Sequence, residues 1–263
     1  MNLKGKTIWI TGASSGIGEA LAIELSKNEN NLILSARRTD VLSEVKEKLK
    51  YPERAAVLQL DLTDSSSFLE KYEKAKSFFG SIDVLVNNGG ISQRAFAHEA
   101  SLDVDRKVFE VNYFGAIGLT KMVLPEMMSR KSGHIIVISS VVGKFGFPMR
   151  TAYSASKHAL HGFFESLQLE QAKNNVNITI VCPGRIKTNI SLNAIDKDGK
   201  KHGVMDPGQA GGIPADVCAK RIISAVKKNK REVFIGGKEA LLAFIKRLSP
   251  AMFHFIASRV NPT

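Results

Sequence analysis

The 263 residues carry 44% hydrophobic and 24% charged side chains, a balance that lets a chain bury a core and excludes wholesale disorder. Two cysteines, Cys182 and Cys218, are too few for a disulfide framework and fall in no metal-binding spacing. The net charge is +12, and no apolar run approaches the roughly 18 residues of a membrane-spanning helix.

In chain order, β-branched apolar runs at 6–11, 31–36, 55–60, 82–87, 133–139, 177–182 and 232–235 predict strands. Longer amphipathic stretches near 17–28, 39–50, 64–79, 103–130, 152–173 and 214–230 predict helices. Met1 to Lys6 runs straight into the first strand with no secretory leader pattern, so the expected compartment is the cytosol. Strand–helix alternation predicts an α/β fold. Its sheet is doubly wound, parallel and Rossmann-like, of about seven strands, with helices on both faces and the ligand crevice at the strands' C-terminal edge. Residues 1–236 are expected to form one dinucleotide-binding catalytic domain. Within it, 188–213 lacks periodicity and is expected to be a mobile substrate loop. Residues 237–263 read as a helical extension, two apolar and basic segments split at Ser249-Pro250.

The first strand ends in Thr11-Gly12-Ala13-Ser14-Ser15-Gly16-Ile17-Gly18, and a helical pattern begins at once. Gly12 permits the tight turn, Gly16 lets backbone approach a pyrophosphate, and Gly18 allows close helix–strand packing. The helix N-terminus then offers free N–H groups to phosphate. At the end of the second strand, where an NAD site commonly has an acid, stand Arg37 and Arg38. Two guanidiniums suit a 2′-phosphate, so NADP(H) is the expected cofactor.

Further along, Tyr153 and Lys157 lie at i and i+4 of a helix and share a face. A phenol is a poor acid–base catalyst at neutral pH, and a lysine ammonium beside it favours the phenolate. Such a pair can exchange a proton with a substrate oxygen while hydride moves. Ser140 ends the fifth strand, where its hydroxyl can hold the same oxygen.

Taken with Asp61, Asn87-Asn88-Gly89-Gly90, Asn112, Tyr153-Ser154-Ala155-Ser156-Lys157 and Pro183-Gly184, the glycine turn resembles the short-chain dehydrogenase/reductase family over roughly residues 5–190. The resemblance implies Tyr153, Lys157, Ser140 and Asn112 as catalytic residues, Asn112 supporting a water-linked proton relay to the lysine. Its thirteen-residue serine–tyrosine spacing selects Ser140 over Ser139, and strand alternation allows only one of the two to face the crevice. It further implies that Ser14, Ser15 and Ile17 join the phosphate turn, that Asp61 and Leu62 frame the adenine, and that Asn88 and Gly89 border its ribose. Lys157 would also hold a ribose. Pro183, Gly184, Ile186 and Thr188 would close on the nicotinamide. A homodimer or homotetramer through the helices at 103–130 and 152–173 is a further implication. Two positions depart from the family pattern. Gly89 stands where alanine is usual, with little effect expected, and Ser15 stands where NADP-preferring relatives often have a basic residue.

The six histidines show no ligand cluster by spacing, so no metal site is expected. Residues 220–263 hold ten Lys/Arg against two acids. This tail has three candidate destinations: its own domain or a partner subunit, an anionic membrane surface, or nucleic acid, for which no recognition motif is present. The overall expectation is an NADP(H)-dependent carbonyl reductase that interconverts a lipophilic carbonyl and a secondary alcohol, with Ser140 and Tyr153 on the substrate oxygen and a place in lipid metabolism. The alternative is a non-catalytic NADP(H)-binding regulatory protein.

Overall fold

The computed structural model describes residues 1–260. The last three residues of the predicted 237–263 extension lie outside the described residues.

In chain order the elements are β1 (Thr7–Thr11), α1 (Gly16–Ser26), β2 (Asn31–Ala36), α2 (Thr39–Glu47), β3 (Ala55–Gln59), α3 (Phe68–Phe79), β4 (Val84–Asn87) and α4 (Leu102–Phe109). Then follow α5 (Gly115–Ser129), β5 (Gly133–Ile138), α6 (Thr151–Glu170), β6 (Val176–Pro183), β7 (Ile186–Lys187), α7 (Pro207–Ala210), β8 (Ile213–Pro214), α8 (Ala215–Lys227), β9 (Glu232–Ile235), α9 (Leu241–Leu248) and α10 (Pro250–Ala257). Seven strands form one parallel sheet in the order β3-β2-β1-β4-β5-β6-β9.

Side chains of successive strand residues point to opposite faces. Ile8, Ile10, Leu32, Leu34, Val84 and Val86 therefore pack on one side, with Leu21 and Leu25 of α1 and Ile222 and Val226 of α8. Trp9, Ile33, Leu85, Ile135 and Val137 pack on the other, with Phe68 of α3, Leu119 and Val123 of α5 and Phe164 of α6. Because both faces are covered, the strands read as continuous apolar runs rather than as alternating ones. Trp9 is fully buried, and its indole N–H is satisfied by the Ser35 hydroxyl at 2.8 Å.

The chain builds β1, β2 and β3 outward, then returns to place β4 on the other side of β1. That reversal opens a crevice beyond the C-terminal ends of β1 and β4, between the two diverging connections.

The helix predicted over 103–130 is present and contains a π-helical turn, Glu110–Phe114, between α4 and α5. One expectation changes. The 188–213 segment is not an unanchored mobile loop. Its main chain is stitched to the 92–95 stretch through Ile195 N–H to Ser92 O at 2.9 Å and Arg94 N–H to Ile195 O at 2.8 Å. Asp206 in the same segment is buried and ion-paired with Arg94 and Arg150. Long-range partners, invisible to local periodicity, order it.

Candidate active site

One cavity of about 930 Å³ runs along the C-terminal edge of the sheet, from the glycine turn to the tail. Gly12 and Gly16 both have positive φ, +63° and +61°, which a residue with a Cβ resists. A Cβ on Gly12 would also lie 2.7 Å from Gly89 Cα. Asn88 locks the turn, its amide donating to Thr11 O at 2.9 Å and Gly12 O at 3.0 Å. The Thr11 hydroxyl accepts from the N–H groups of Asn88 and Gly89. Thus the side chain of Asn88, expected only at a ribose, builds the phosphate turn. Gly18 sits behind that turn, where a Cβ would overlap the Gly12 carbonyl, and is the one candidate cofactor residue that does not line the cavity.

Around the cavity, Ser14, Ser15, Gly16 and Ile17 form the edge at the α1 N-terminus. The Ser15 side chain makes no capping bond there, so the first-turn N–H groups are left for an anion. Arg37 and Arg38 line the far end and have no ion-pair partner among the described residues. Asp61 lines the same end, with one carboxylate oxygen held by the backbone and hydroxyl of Thr63 at 2.9 and 2.8 Å. Leu62 covers Gly89 so closely that a methyl there would meet Leu62 Cδ1 at 2.5 Å. An alanine at 89 would require the Leu62 side chain to shift. Pro183, Gly184, Ile186 and Thr188 form the opposite wall, and Thr188 Cγ2 would lie 3.0 Å from a Cβ on Gly16. A turn too close for side chains, helical N–H groups at its edge and guanidiniums without an ion-pair partner among the described residues fit a dinucleotide.

At the centre, α6 presents Tyr153, 8% exposed, and one turn later Lys157. The Ser140 hydroxyl lies beside the Tyr153 phenol and acts to lower its pKa, while donating to Pro183 O at 3.4 Å and accepting from Val142 N–H at 3.3 Å. Ser139 points behind the strand, toward His161 Nε2 at 3.1 Å and the Lys157 carbonyl at 3.4 Å. The two serines therefore divide as strand alternation requires. Lys157 Nζ donates to Ile138 O at 2.9 Å and lies 5.7 Å from the Tyr153 ring centroid.

Asn112, in the π turn, is buried. Its amide donates to Ile91 O at 2.9 Å and Ser156 Oγ at 3.1 Å, and its Oδ1 accepts from Ile91 N–H at 2.8 Å. The asparagine thereby fixes the 90–91 segment against α6. A Cβ on Gly90 would lie 3.1 Å from Asn112 Oδ1 and 3.7 Å from Lys157 Nζ, so only a glycine separates the two.

The electrostatics differ from expectation. Burial raises the Tyr153 phenol above its usual range, outweighing the lowering effects of Ser140 and of the Arg94 and Arg150 charges. Burial brings Lys157 itself down to about 8. The influential cations are residues that motif reading missed. The guanidinium of Arg94 is paired with Asp206 and donates to Ser92 Oγ at 2.7 Å, and Arg150 reaches Asp206 at 2.9 Å. Arg150 precedes Tyr153 by three residues, about one helical turn, which is the only sequence signal for it.

Spacing also hid a cluster behind Ser139. His161, Cys182 and Glu232 bring their ligand atoms within 4.8 Å of one another. The Lys144 ammonium already neutralises that group, 2.6 Å from Glu232 and 3.0 Å from Glu165, and burial keeps the Cys182 thiol protonated.

The cavity is also lined by the apolar Val141, Val142, Phe145, Phe147, Ile190 and Ile195, with Leu242 and Val260 from the tail. Glu239, also unforeseen, accepts from the N–H groups of Arg185 at 2.8 Å and Gly237 at 3.0 Å and so joins the tail to the 183–188 wall. Among the described residues no helix is long and apolar enough to cross a membrane.

Comparison with known proteins places this geometry. The family model for short chain dehydrogenases matches residues 6–199. The chain is 42% identical over 265 residues to a dehydrogenase/reductase SDR family protein 7-like of Drosophila melanogaster, covering 98% of this chain and 81% of that protein. Two solved structures share the fold. A short chain dehydrogenase/reductase from Burkholderia phymatum in complex with NAD has TM-score 0.83 at 23% identity, covering 100% of this chain and 98% of that one. A short chain dehydrogenase from Burkholderia cenocepacia in complex with NADP has TM-score 0.80 at 24% identity, covering 98% and 99%. At such identities the likeness speaks for the fold alone. The sequence match, the sheet order and the glycine turn lead to one assignment: the chain belongs to the short-chain dehydrogenase/reductase family and is an oxidoreductase.

Proposed function

We propose that the protein is an NADP(H)-dependent carbonyl reductase for a lipophilic substrate, with Tyr153 as the proton donor. The observation that carries this reading is the Tyr153 phenol, buried beside Ser140 where a dinucleotide cleft meets an apolar cavity. NADPH, when bound, supplies a hydride from its nicotinamide.

The chain's own residues supply the rest. Reduction needs an acid that stays protonated until negative charge develops on the substrate oxygen. A buried phenol with a raised pKa meets that need at neutral pH. Ser140 Oγ holds the same oxygen and steadies its charge. Lys157, about 8 and predominantly charged at neutral pH, favours the phenolate left after proton transfer. Asn112 holds the 90–91 segment beside the lysine, which supports its role in a relay that returns a proton to Tyr153. Arg37 and Arg38 are assigned to the 2′-phosphate. Two similar folds hold NAD and NADP respectively, so cofactor choice rests on these two side chains rather than on the architecture. The apolar wall from Val141 to Ile195, with Leu242, supports a lipophilic carbonyl compound. The partly exposed Phe114 of the π turn and the strongly exposed Leu169 of α6, at 46% and 75%, support assembly of copies through the helical stretches at 103–130 and 152–173.

Tyr153→Phe should lower kcat with NADPH and a carbonyl panel by at least ~10³-fold while leaving the NADPH Kd within about twofold, since the ring is kept and only the proton is lost. Turnover by the phenylalanine variant at the parent rate would defeat the assignment.

A further inference from the structure

We propose that the outer face of the C-terminal helices α9 and α10 docks on an anionic lipid surface beside the substrate cavity. The inner face of the pair is accounted for. Ala240, Leu242, Ala243 and Phe253 pack against the cluster around Val141 and Phe145, and the Phe145 and Phe253 ring centroids are 5.3 Å apart.

The outer face is not polar, as a solvated helix would be. Leu241, Leu248, Met252 and Phe255 are 57%, 84%, 48% and 60% exposed. Their charged neighbours are of one sign. Lys238, Arg247 and Arg259 are exposed, and the guanidinium of Arg259 lies 3.6 Å over the Phe255 ring. The one acid between 237 and 260 is Glu239, whose carboxylate is spent on the N–H groups of Arg185 and Gly237. Exposed leucine and phenylalanine with a basic rim and no available acid is the composition of an interfacial helix. Charge complementarity selects the occupant. A second copy of this face would oppose cation to cation, whereas anionic headgroups attract each Lys or Arg near them.

The same segment walls the cavity through Leu242 and Val260. Docking would therefore present the mouth of the cavity to the hydrocarbon boundary. The docking itself is independent of the carbonyl-reductase reading; only the delivery of substrate along this route depends on it.

The test is flotation of the full-length protein with vesicles of phosphatidylcholine alone or of phosphatidylcholine mixed with phosphatidylglycerol, without cofactor or substrate. The expected result is binding to the anionic vesicles that weakens severalfold on adding salt. The triple variant Leu241→Ser, Leu248→Ser, Phe255→Ser should reduce it by at least about tenfold, since large apolar side chains no longer leave water. Arg247→Glu with Arg259→Glu should reduce binding to anionic vesicles while leaving the weak binding to neutral ones unchanged. Unaltered thermal melting establishes that each variant is folded. Equal binding to neutral and anionic vesicles, or full binding by the folded triple variant, would overturn the proposal. So would a parent dimer that the triple variant converts to monomer, which would give the face to a second copy. Tyr153→Phe should float like the parent, so failure of the catalytic reading and failure of docking are distinguishable.

Discussion

Tyr153 lies buried beside Ser140, and its surroundings keep it protonated more strongly than an exposed phenol. Desolvation acts on the phenolate from every side, while Lys157 Nζ is turned to the Ile138 carbonyl. At the other end of the cleft, Arg37 and Arg38 lack carboxylate partners among the described residues. Charge-assisted hydrogen bonds are worth about 1.5–3 kcal/mol, so Arg37→Ala should raise the NADPH Kd by about tenfold or more and leave the NADH Kd nearly unchanged. Fluorescence titration with both cofactors checks this, and an equal loss for both would remove the phosphate assignment.

At the scale of elements, β5 carries the floor of the site toward Ser140, and its second residue, His134, is fully buried with Nε2 2.8 Å from Thr179 Oγ1. Burial lowers His134 to about 4 from the ordinary 6.5. The unfolded chain therefore binds the proton first as pH falls. The stability present above pH 6.5 is lost between there and about 4, on the order of 3 kcal/mol. His134→Leu should flatten that limb of a urea-melt pH series; an unchanged limb would mean that other groups govern it. Thr179 stays satisfied in the variant, since its hydroxyl also donates to Lys230 O at 2.7 Å. The π turn at Glu110–Phe114 shows the same separation of local from global control. The 103–130 periodicity is helical throughout, and the register change within it coincides with Asn112, whose buried amide must reach both Ile91 and Ser156.

Across the whole molecule, the Arg94–Asp206–Arg150 group ties together the stretch after β4, the start of α6 and the 188–213 segment. The Arg94 and Asp206 side chains are 2% and 9% exposed. Removing the shared carboxylate leaves buried guanidinium charge poorly compensated. Asp206→Ala should therefore cost about 3 kcal/mol or more in urea unfolding and raise KM for substrate more than it changes the NADPH Kd. A loss smaller than about 1 kcal/mol would show the segment held by its backbone bonds and apolar contacts instead.

Strand order in sequence, the phosphate turn and the Tyr153–Lys157 pair were legible from the chain because each is a local pattern. Continuous β-branched apolar runs, glycine spacing and one helical turn are properties of neighbours. Ser140 was legible from its place at the end of a strand together with the thirteen-residue spacing to Tyr153 that the family resemblance supplies. The ordering of 188–213, the Asn88 bonds that close the glycine turn, the tight fit of Leu62 on Gly89, the cations around Tyr153 and the Lys144–His161–Glu232 group arise from residues far apart in sequence. No local pattern constrains such pairs. Their distances, and the dielectric in which their charges act, exist only after the sheet has assembled and excluded water.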